Sequence, residues 1–304
     1  MKISENWLRE WVNPPVDATA LAEKLNLAGL ECEAEPLTVD PPRVVVVARI
    51  LKASPHPQAD RLQVCEVDAG TGAPLQIVCG AANARPGILV PAALPGAVLP
   101  GGKSIGAANL RGVDSAGMLC SASELGLAEK SEGLLELDLN ARPGTPIEKH
   151  LGLDDRLLNL ELTPNRGDCL SIAGVARELT ALYNLTTKPP LMRPAVVSAV
   201  HVKDVLVEDA AGCPHYAGRA VTGLNPKART PDWMRERLRR SGIRTIHPVV
   251  DITNYVMLEL GQPMHGFDYD KLRGPVRVRR ARAGEKLALL NEQTIQLDPA
   301  DLLI

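Results

Sequence analysis

The residues best suited to chemistry lie between positions 244 and 270, in "RTIHPVVDITNYVMLELGQPMHGFDYD". His247, His265, Asp251 and Asp268 could be drawn as a metal site, since imidazole and carboxylate both ligate divalent cations. The spacing argues against it. No HExxH pattern is present, and Pro248 is expected to disturb the helix that would bring His247 and Asp251 onto one face. His265 stands beside Gly266, which permits close approach of a substrate to the backbone, and near Phe267, the only phenylalanine of the chain. The residues alone leave His265 open as a metal ligand, a general base, a nucleotide contact or part of an ordinary turn over a core. A second histidine, His56 in "SPHPQADRL", sits between two prolines. Proline fixes its own φ and disfavours helix before it, so a stiff, exposed bend that presents the ring is one expectation; a structural histidine in a turn is the other.

These side chains need elements to hold them. "DITNYVMLELGQ" predicts a helix opened by Asp251 or Thr253, whose first turn would aim backbone N–H groups at an incoming phosphate or ester. "TPDWMRERLRRSG" predicts a helix with Thr230 as N-cap, Pro231 at its first position and Gly242 past its end. Near the start, Ser4 opens "SENWLREWV" and Asp17 opens "DATALAEKLNLAGLE", both with apolar residues at helical spacing. Ser171 is placed to cap "GDCLSIAGVARELTALYN", with Val175, Leu179 and Leu182 on one face. Between these helices, after "DPPR" at 40–43, the texture changes to short apolar runs broken by Gly and Pro: "VVVVARIL", "LQVCEVDAG", "LQIVCGA" and "ILVPAAL". About five short strands fit an OB-type β-barrel better than a two-sheet sandwich. Beyond residue 200, "HVKDVLVED", "YAGRAVTGL" and "PVRVRRAR" read as strands.

The expected fold class is α+β and multidomain. A small split helical or mixed domain (1–39 plus 151–190) receives an inserted OB-type β-barrel (40–150), and a partial α+β domain follows (191–304). "TTKPPLMRP" at 186–194 reads as a Pro-rich linker, and the apolar end "DPADLLI" as a truncation inside a domain.

Composition bounds the function. At 304 residues and 45% hydrophobic the chain can bury sizeable cores. Nothing approaches the roughly 20 apolar residues of a membrane span, and no signal peptide opens it, so a cytoplasmic location without membrane contact is expected. The six cysteines carry no CxxC pair and are expected to be reduced and mostly buried. A formal charge of -2 gives no bulk electrostatic case for nucleic acid, yet "RERLRR" at 235–240 and "RVRRAR" at 277–282 concentrate arginines. Those clusters are either a nucleic-acid footprint or solvated faces of a helix and a strand. No GxGxxG, P-loop or Ser-His-Asp arrangement is present, which argues against independent nucleotide hydrolysis or acyl transfer. Arg166 in "TPNRGD" is expected in a salt bridge on the approach to a helix.

Several of these stretches together resemble a known family. His56-Pro57, Ala59-Asp60 with Leu62, "CGAAN" ending in Asn83, and "RGVDSAGMLCSASELGL" at 111–127 resemble the tRNA-binding OB domain shared by several translation proteins. "MKISENWLREWVNP", "LELTPNRGDCLSIAGVARELTAL" and "GIRTIHPVVDITNYVMLELGQPMHGFDYDKL" resemble the β subunit of bacterial phenylalanyl-tRNA synthetase, in matching order over nearly the whole chain. The resemblance implies the N-terminal portion of that subunit, ending within the start of the family's B3/B4 editing domain. It implies tRNA contacts by His56, Asn83, Arg111, Ser115, Met118, Ser121 and Glu124, made by stacking and backbone electrostatics. It further implies an editing pocket for tyrosine misattached to tRNA(Phe), with His265 at the ester, orienting water or a ribose hydroxyl, and Arg244, Thr253 and Asn254 lining it. A pocket for Phe rejects an analogue that only adds a hydroxyl by a factor on the order of a hundred, so a second, hydrolytic sieve has a physical reason to exist. In this family ATP and Mg2+ serve aminoacylation on the α subunit of an α2β2 tetramer, and no cofactor or metal is expected on these 304 residues. The rival readings are a stand-alone tRNA-binding or assembly module and a free-standing deacylase that edits in trans.

Overall fold

A computed structural model describes every residue except Val39, Ala199, Pro226 and Leu290. The described residues gather into two compact units, Met1–Pro190 with Arg229–Met264, and Leu191–Ala228 with His265–Ile304. Five of the six cysteines are buried and all are free thiols. Among the described residues no helix is long and apolar enough to cross a membrane.

The first unit runs β1 (Lys2–Ser4), α1 (Glu5–Trp11), α2 (Ala18–Leu27), β2 (Glu31–Pro36), β3 (Arg43–His56), β4 (Ala59–Asp68), β5 (Leu75–Cys79), β6 (Leu89–Leu99), β7 (Lys103–Ser104), β8 (Ala108–Leu110), β9 (Val113–Ser115), β10 (Met118–Leu119), α3 (Ile147–Leu151), β11 (Arg156–Glu161), α4 (Ile172–Tyr183), α5 (Asp232–Arg240) and α6 (Pro248–Leu260). The helices predicted from local caps form where the caps are. Ser4 Oγ accepts from Trp7 N, Asp17 Oδ1 from Ala20 N, and Ser171 Oγ from Gly174 N, each satisfying an otherwise orphaned first-turn donor. β11 arrives from beyond the β-rich block and inserts between β1 and β2, with Leu158 opposite Ile3 on one side and Ala34 on the other. One core then forms from Ile3, Trp7, Leu8, Leu21, Leu25, Leu158, Leu160, Val175 and Leu179.

The β-rich block is a twisted sheet of order β10-β6-β3-β4-β5, with β7 added on β6. Side chains alternate along β3 and β6. Val45, Val47, Leu89 and Ala93 enter one core, while Ala48, Ile50, Val90 and Ala92 enter another, so both faces of the central strands are buried. The ladder does not close into a barrel among the described residues. Its β5 end meets β9 and the β9 to β10 connection, where Ala116 N donates to Gln76 O (2.8 Å) and Ser115 Oγ accepts from Val78 N (3.0 Å). The fold class is therefore mixed α+β with several sheets.

Two helices start differently from the prediction. Thr230 does not cap α5, because its hydroxyl donates to the buried carboxylate of Asp251; Pro231 takes the cap position instead. Asp251 also accepts from Ile246 N (2.9 Å) and so sits inside α6, not at its start. Pro248 opens α6 rather than disturbing it, since the first helical residue needs no N–H partner, and His247 Nδ1 caps by accepting from Val249 N (3.3 Å). Gly261 ends α6 at φ +77, as a left-handed C-cap. Residues 229–264 join the first unit through buried polar contacts. Arg240 pairs with Asp155 at 2.7 Å, and Asp138 and Asp232 each accept the other's backbone N–H.

The second unit holds β12 (Val205–Val207), β13 (Val276–Arg280), β14 (Lys286–Ala288), β15 (Thr294–Gln296) and β16 (Leu302–Leu303). β13 is central, parallel to β12 and antiparallel to β16, and β14 and β15 form a separate hairpin. "YAGRAVTGL" at 216–224 forms no strand: it is mostly exposed and meets no ladder partner, so its β-propensity has nothing to act on.

Candidate functional site

Most of the residues expected to contact tRNA are internal fasteners. His56 is 5% exposed, which overturns the expectation of a presented ring: Nε2 lies 3.0 Å from Leu110 O and Nδ1 accepts from Gln58 N at 3.0 Å. Asn83 accepts from Leu134 N (2.9 Å) and donates to Leu134 O (3.1 Å), a two-way tie that fixes the loop after β5. Ser115 is buried, and its hydroxyl donates to Gly117 O (3.0 Å) while accepting from Val78 N. Ser121 and Glu124 make the reciprocal bonds of a capping box, from Ser121 N to the Glu124 carboxylate (2.7 Å) and from Glu124 N to Ser121 Oγ (3.3 Å). Met118 is half-buried in β10. Of the seven, only Arg111 is exposed, at the tip of the β8–β9 hairpin.

The four residues expected around an editing ester divide between the units. Arg244, Thr253 and Asn254 belong to the first; His265 belongs to the second. Arg244 is exposed, Thr253 Oγ1 donates back to Val250 O (2.8 Å) within α6, and Asn254 is half-exposed on the same helix. His265 is exposed and stacks on Phe267 with ring centroids 5.9 Å apart. No hydrogen bond engages its ring among the described residues. The metal reading loses Asp251 outright, because both of its carboxylate oxygens are occupied inside the first unit.

Most arginines of the two clusters are ion-paired. In α5, Arg235 pairs with Asp232, Arg237 with Glu10, Arg239 with Glu236 and Arg240 with Asp155. In β13, Arg277 pairs with Glu208, Arg279 with Glu285 and Arg280 with Asp209. The Arg279 guanidinium holds the Glu285 carboxyl down at about 2. Arg166 pairs with Asp168 and Glu178, as expected, and fills the space between the carboxylates and Cys169 that a cation would need.

Two constellations were not anticipated. All three tryptophans lie at the contact of α1 with α5 and α6. Trp7 stacks on Tyr255 at 4.9 Å, Trp233 meets Tyr255 edge-on, and Arg237 lies over Trp7 at 5.1 Å and over Trp233 at 5.4 Å. Glu259 accepts from Trp7 Nε1 (3.3 Å), Trp11 Nε1 (3.4 Å) and Tyr255 Oη (3.1 Å), and burial pushes the Tyr255 hydroxyl up to about 12. The signal was available as two tryptophans four residues apart, but their partners lie over 200 residues away. The second is a cleft of about 440 Å³ lined by Asn83, Ser131, Glu132, Glu136, Arg229 and Arg235. Glu136 holds both Arg85 (2.8 Å) and Arg229 (2.9 Å), and the Arg85 guanidinium keeps its carboxyl below the usual range.

Comparison with known proteins matches two stretches of the chain to family models. Residues 45–146, the β-rich block, match the model of a putative tRNA binding domain, and residues 212–304 match the B3/4 domain. A phenylalanine–tRNA ligase beta subunit from Methylococcus capsulatus is 53% identical over 305 residues, covering 100% of this chain and 38% of its own length. The one from Nitrosococcus oceani is 51% identical and that from Aromatoleum aromaticum 54%, each with the same 100% and 38% coverage. Along its whole length this chain is similar to phenylalanine–tRNA ligase beta subunits. It spans about 38% of the length of these relatives. Among solved structures, the C-terminal domain of Plasmodium vivax p43 superposes with a TM-score of 0.25 at 19% identity, over 33% of this chain and 56% of that one, too loose a match to bear on the fold. The B3/4 match takes in α5 and α6 of the first unit as well as β13 to β16 of the second.

Proposed function

We propose that the chain is the N-terminal part of a phenylalanine–tRNA ligase β subunit, contributing tRNA contacts and part of the hydrolytic site that removes tyrosine from tRNA(Phe). The observation that carries this reading is the order of a tRNA-binding match and a B3/4 match on one chain whose whole length aligns with about 38% of a named beta subunit. Charging of tRNA(Phe) with phenylalanine, with ATP and Mg2+, belongs to an α subunit in an α2β2 assembly. The β-rich block acts as an OB-type barrel. The bonds that tie β5 to β9 and to the residue after it, from Ala116 to Gln76 and from Val78 to Ser115, support that geometry. It serves as a binding module, since no nucleophile and base are paired within it.

In the editing step, selectivity comes from recognising the hydroxyl that a phenylalanine pocket cannot reject. His265 suits the ester end of that pocket. Its ring is exposed and free to hydrogen-bond, Phe267 stacks beside it, and Gly266 lets a substrate approach the backbone. It orients water or the terminal ribose hydroxyl. Arg244, Thr253 and Asn254 are the polar residues that α6 and the segment before it offer to the same substrate.

The test is hydrolysis of tyrosyl-tRNA(Phe) by this sequence extended to the family's full length and assembled with α, compared with its His265→Ala variant and with the 304-residue chain alone. Hydrolysis by the assembly that drops about a hundredfold or more in the variant supports the reading. Hydrolysis by the 304 residues alone would favour a trans-acting deacylase, and tRNA binding without hydrolysis by any of them would leave a binding module only.

A further inference from the structure

Two hairpins of the β-rich block end against each other, and a histidine makes the contact. At the β3–β4 tip, His56 Nε2 lies 3.0 Å from Leu110 O and Nδ1 accepts from Gln58 N. A carbonyl can only accept and a backbone N–H can only donate, so the ring is the neutral tautomer protonated on Nε2. Both nitrogens are thereby spent on backbone, one on each hairpin.

The β8–β9 hairpin turns through Arg111 and Gly112, with φ of 49° and 83°. Positive φ at both central residues marks a type I′ turn, whose first corner favours Asn, Asp or Gly; a long side chain there carries left-handed strain. Asn109 braces the turn by accepting from Gly112 N (2.9 Å), and it engages Asp114 as well (2.6 Å). The Arg111 guanidinium is exposed, reaches only Gln58 O at 3.4 Å, and meets no carboxylate among the described residues. The arginines of α5 all meet one. Asp60 and Arg61, exposed on the neighbouring strand, offset each other in charge. An unpaired guanidinium kept at a strained corner, braced from both sides, is the pattern of a binding residue rather than of a packing one.

We propose that the joined tips form a single phosphate-contacting element of the tRNA site, in which Arg111 meets a backbone phosphate and His56 is the positioning residue that holds it there. This rests on the reading of residues 45–146 as a tRNA-binding module. The phosphate class follows from the chemistry: a planar, permanently charged fork without an internal acid matches a phosphodiester's paired oxygens.

The experiment measures affinity of the 304-residue chain for a tRNA(Phe) transcript across a salt series, together with the thermal midpoint, for wild type, Arg111→Asn, His56→Ala and the double variant. Arg111→Asn is expected to weaken binding about tenfold, to lower the salt slope by about one contact, and to raise the midpoint, because Asn fits the left-handed corner better. His56→Ala is expected to weaken binding without changing the salt slope, since it removes no charge, and the double variant to bind no worse than Arg111→Asn alone. If His56→Ala fails to fold, Arg111→Asn still decides. Wild-type affinity and slope in Arg111→Asn overturn the proposal, and additive losses in the double variant overturn the positioning role. Absence of any wild-type binding refutes the tRNA-binding reading itself.

Discussion

Asp155 is 2% exposed and uses both oxygens fully, accepting from Ser4 Oγ, Asn6 N (3.0 Å), Arg156 N (2.8 Å) and Arg240 Nη1 (2.7 Å). It therefore joins the N-terminal strand and helix to α5. Asp155→Ala leaves Arg240, itself only 8% exposed, without its carboxylate. Breaking a buried pair from one side costs about 3–5 kcal/mol. The orphaned N–H and hydroxyl groups add to this at about 1 kcal/mol each, while Glu236, 3.6 Å from Arg240, offers partial relief. A net loss of at least about 4 kcal/mol follows, a large part of the roughly 5–15 kcal/mol that stabilises an ordinary domain. Arg240→Met should cost less, about 2 kcal/mol, because Asp155 keeps three donors. The two together should cost clearly less than their sum. Urea unfolding followed by tryptophan emission reads the first unit alone, since Trp7, Trp11 and Trp233 all lie in it. With an m-value of about 2.5 kcal/mol/M the midpoint should fall by about 1.5 M for Asp155→Ala. A shift below about 0.3 M, or additive costs in the double variant, would refute the claim that this pair is a buried fastener.

Three further outcomes follow from the same geometry. The Glu285 carboxyl is held down to about 2 by the Arg279 guanidinium and the Arg282 N–H, so its support of the second unit is present above the ordinary value of 4.5 and is lost as pH falls towards 2. A carboxyl titration by NMR should place it there, and Glu285→Gln should flatten the acid side of that unit's stability profile; a Glu285 titrating near 4.5 would contradict the pairing. Burial pushes the thiols of Cys65 to about 11 and Cys120 to about 12, so a thiol reagent at neutral pH should label the half-exposed Cys213 and reach the five buried cysteines only in denaturant. Fast labelling of more than one cysteine in the folded protein would count against the cores described. Glu259→Ala removes the acceptor of two indoles and one phenol, and should shift tryptophan emission to the red and lower stability by about 2 kcal/mol; unchanged emission would show that the carboxylate does not hold the cluster.

What the sequence disclosed was set by the range of the interaction concerned. Ser4, Asp17 and Ser171 cap as predicted because donor and acceptor lie three residues apart. Thr230 carries the same signal and fails, because Asp251, 21 residues on, takes its hydroxyl. The prolines around His56 foretold a bend, and the β3–β4 turn lies there, but nothing local could announce Leu110, 54 residues away, as the partner that buries the ring. The arginine runs were legible as clusters and illegible as pairs, since Arg240 finds Asp155 across 85 residues and Arg280 finds Asp209 across 71. Residues 216–224 show the reverse case, in which strand propensity without a partner yields no strand. The motif residues of the tRNA-binding block stood out as a set, yet the structure divides them by role. Asn83, Ser115, Ser121 and Glu124 fasten loops, and Arg111 alone is left pointing to solvent without an acid.

The central claim is that these residues work within phenylalanine–tRNA ligase. It is tested most directly by placing residues 1–304 in the corresponding stretch of a beta subunit from the family, assembling it with the α subunit, and following ATP-dependent attachment of phenylalanine and of tyrosine to tRNA(Phe). The account predicts a stable assembly that charges phenylalanine and accumulates no tyrosyl-tRNA(Phe). An assembly that forms but charges nothing, or that accumulates tyrosyl-tRNA(Phe), would contradict it.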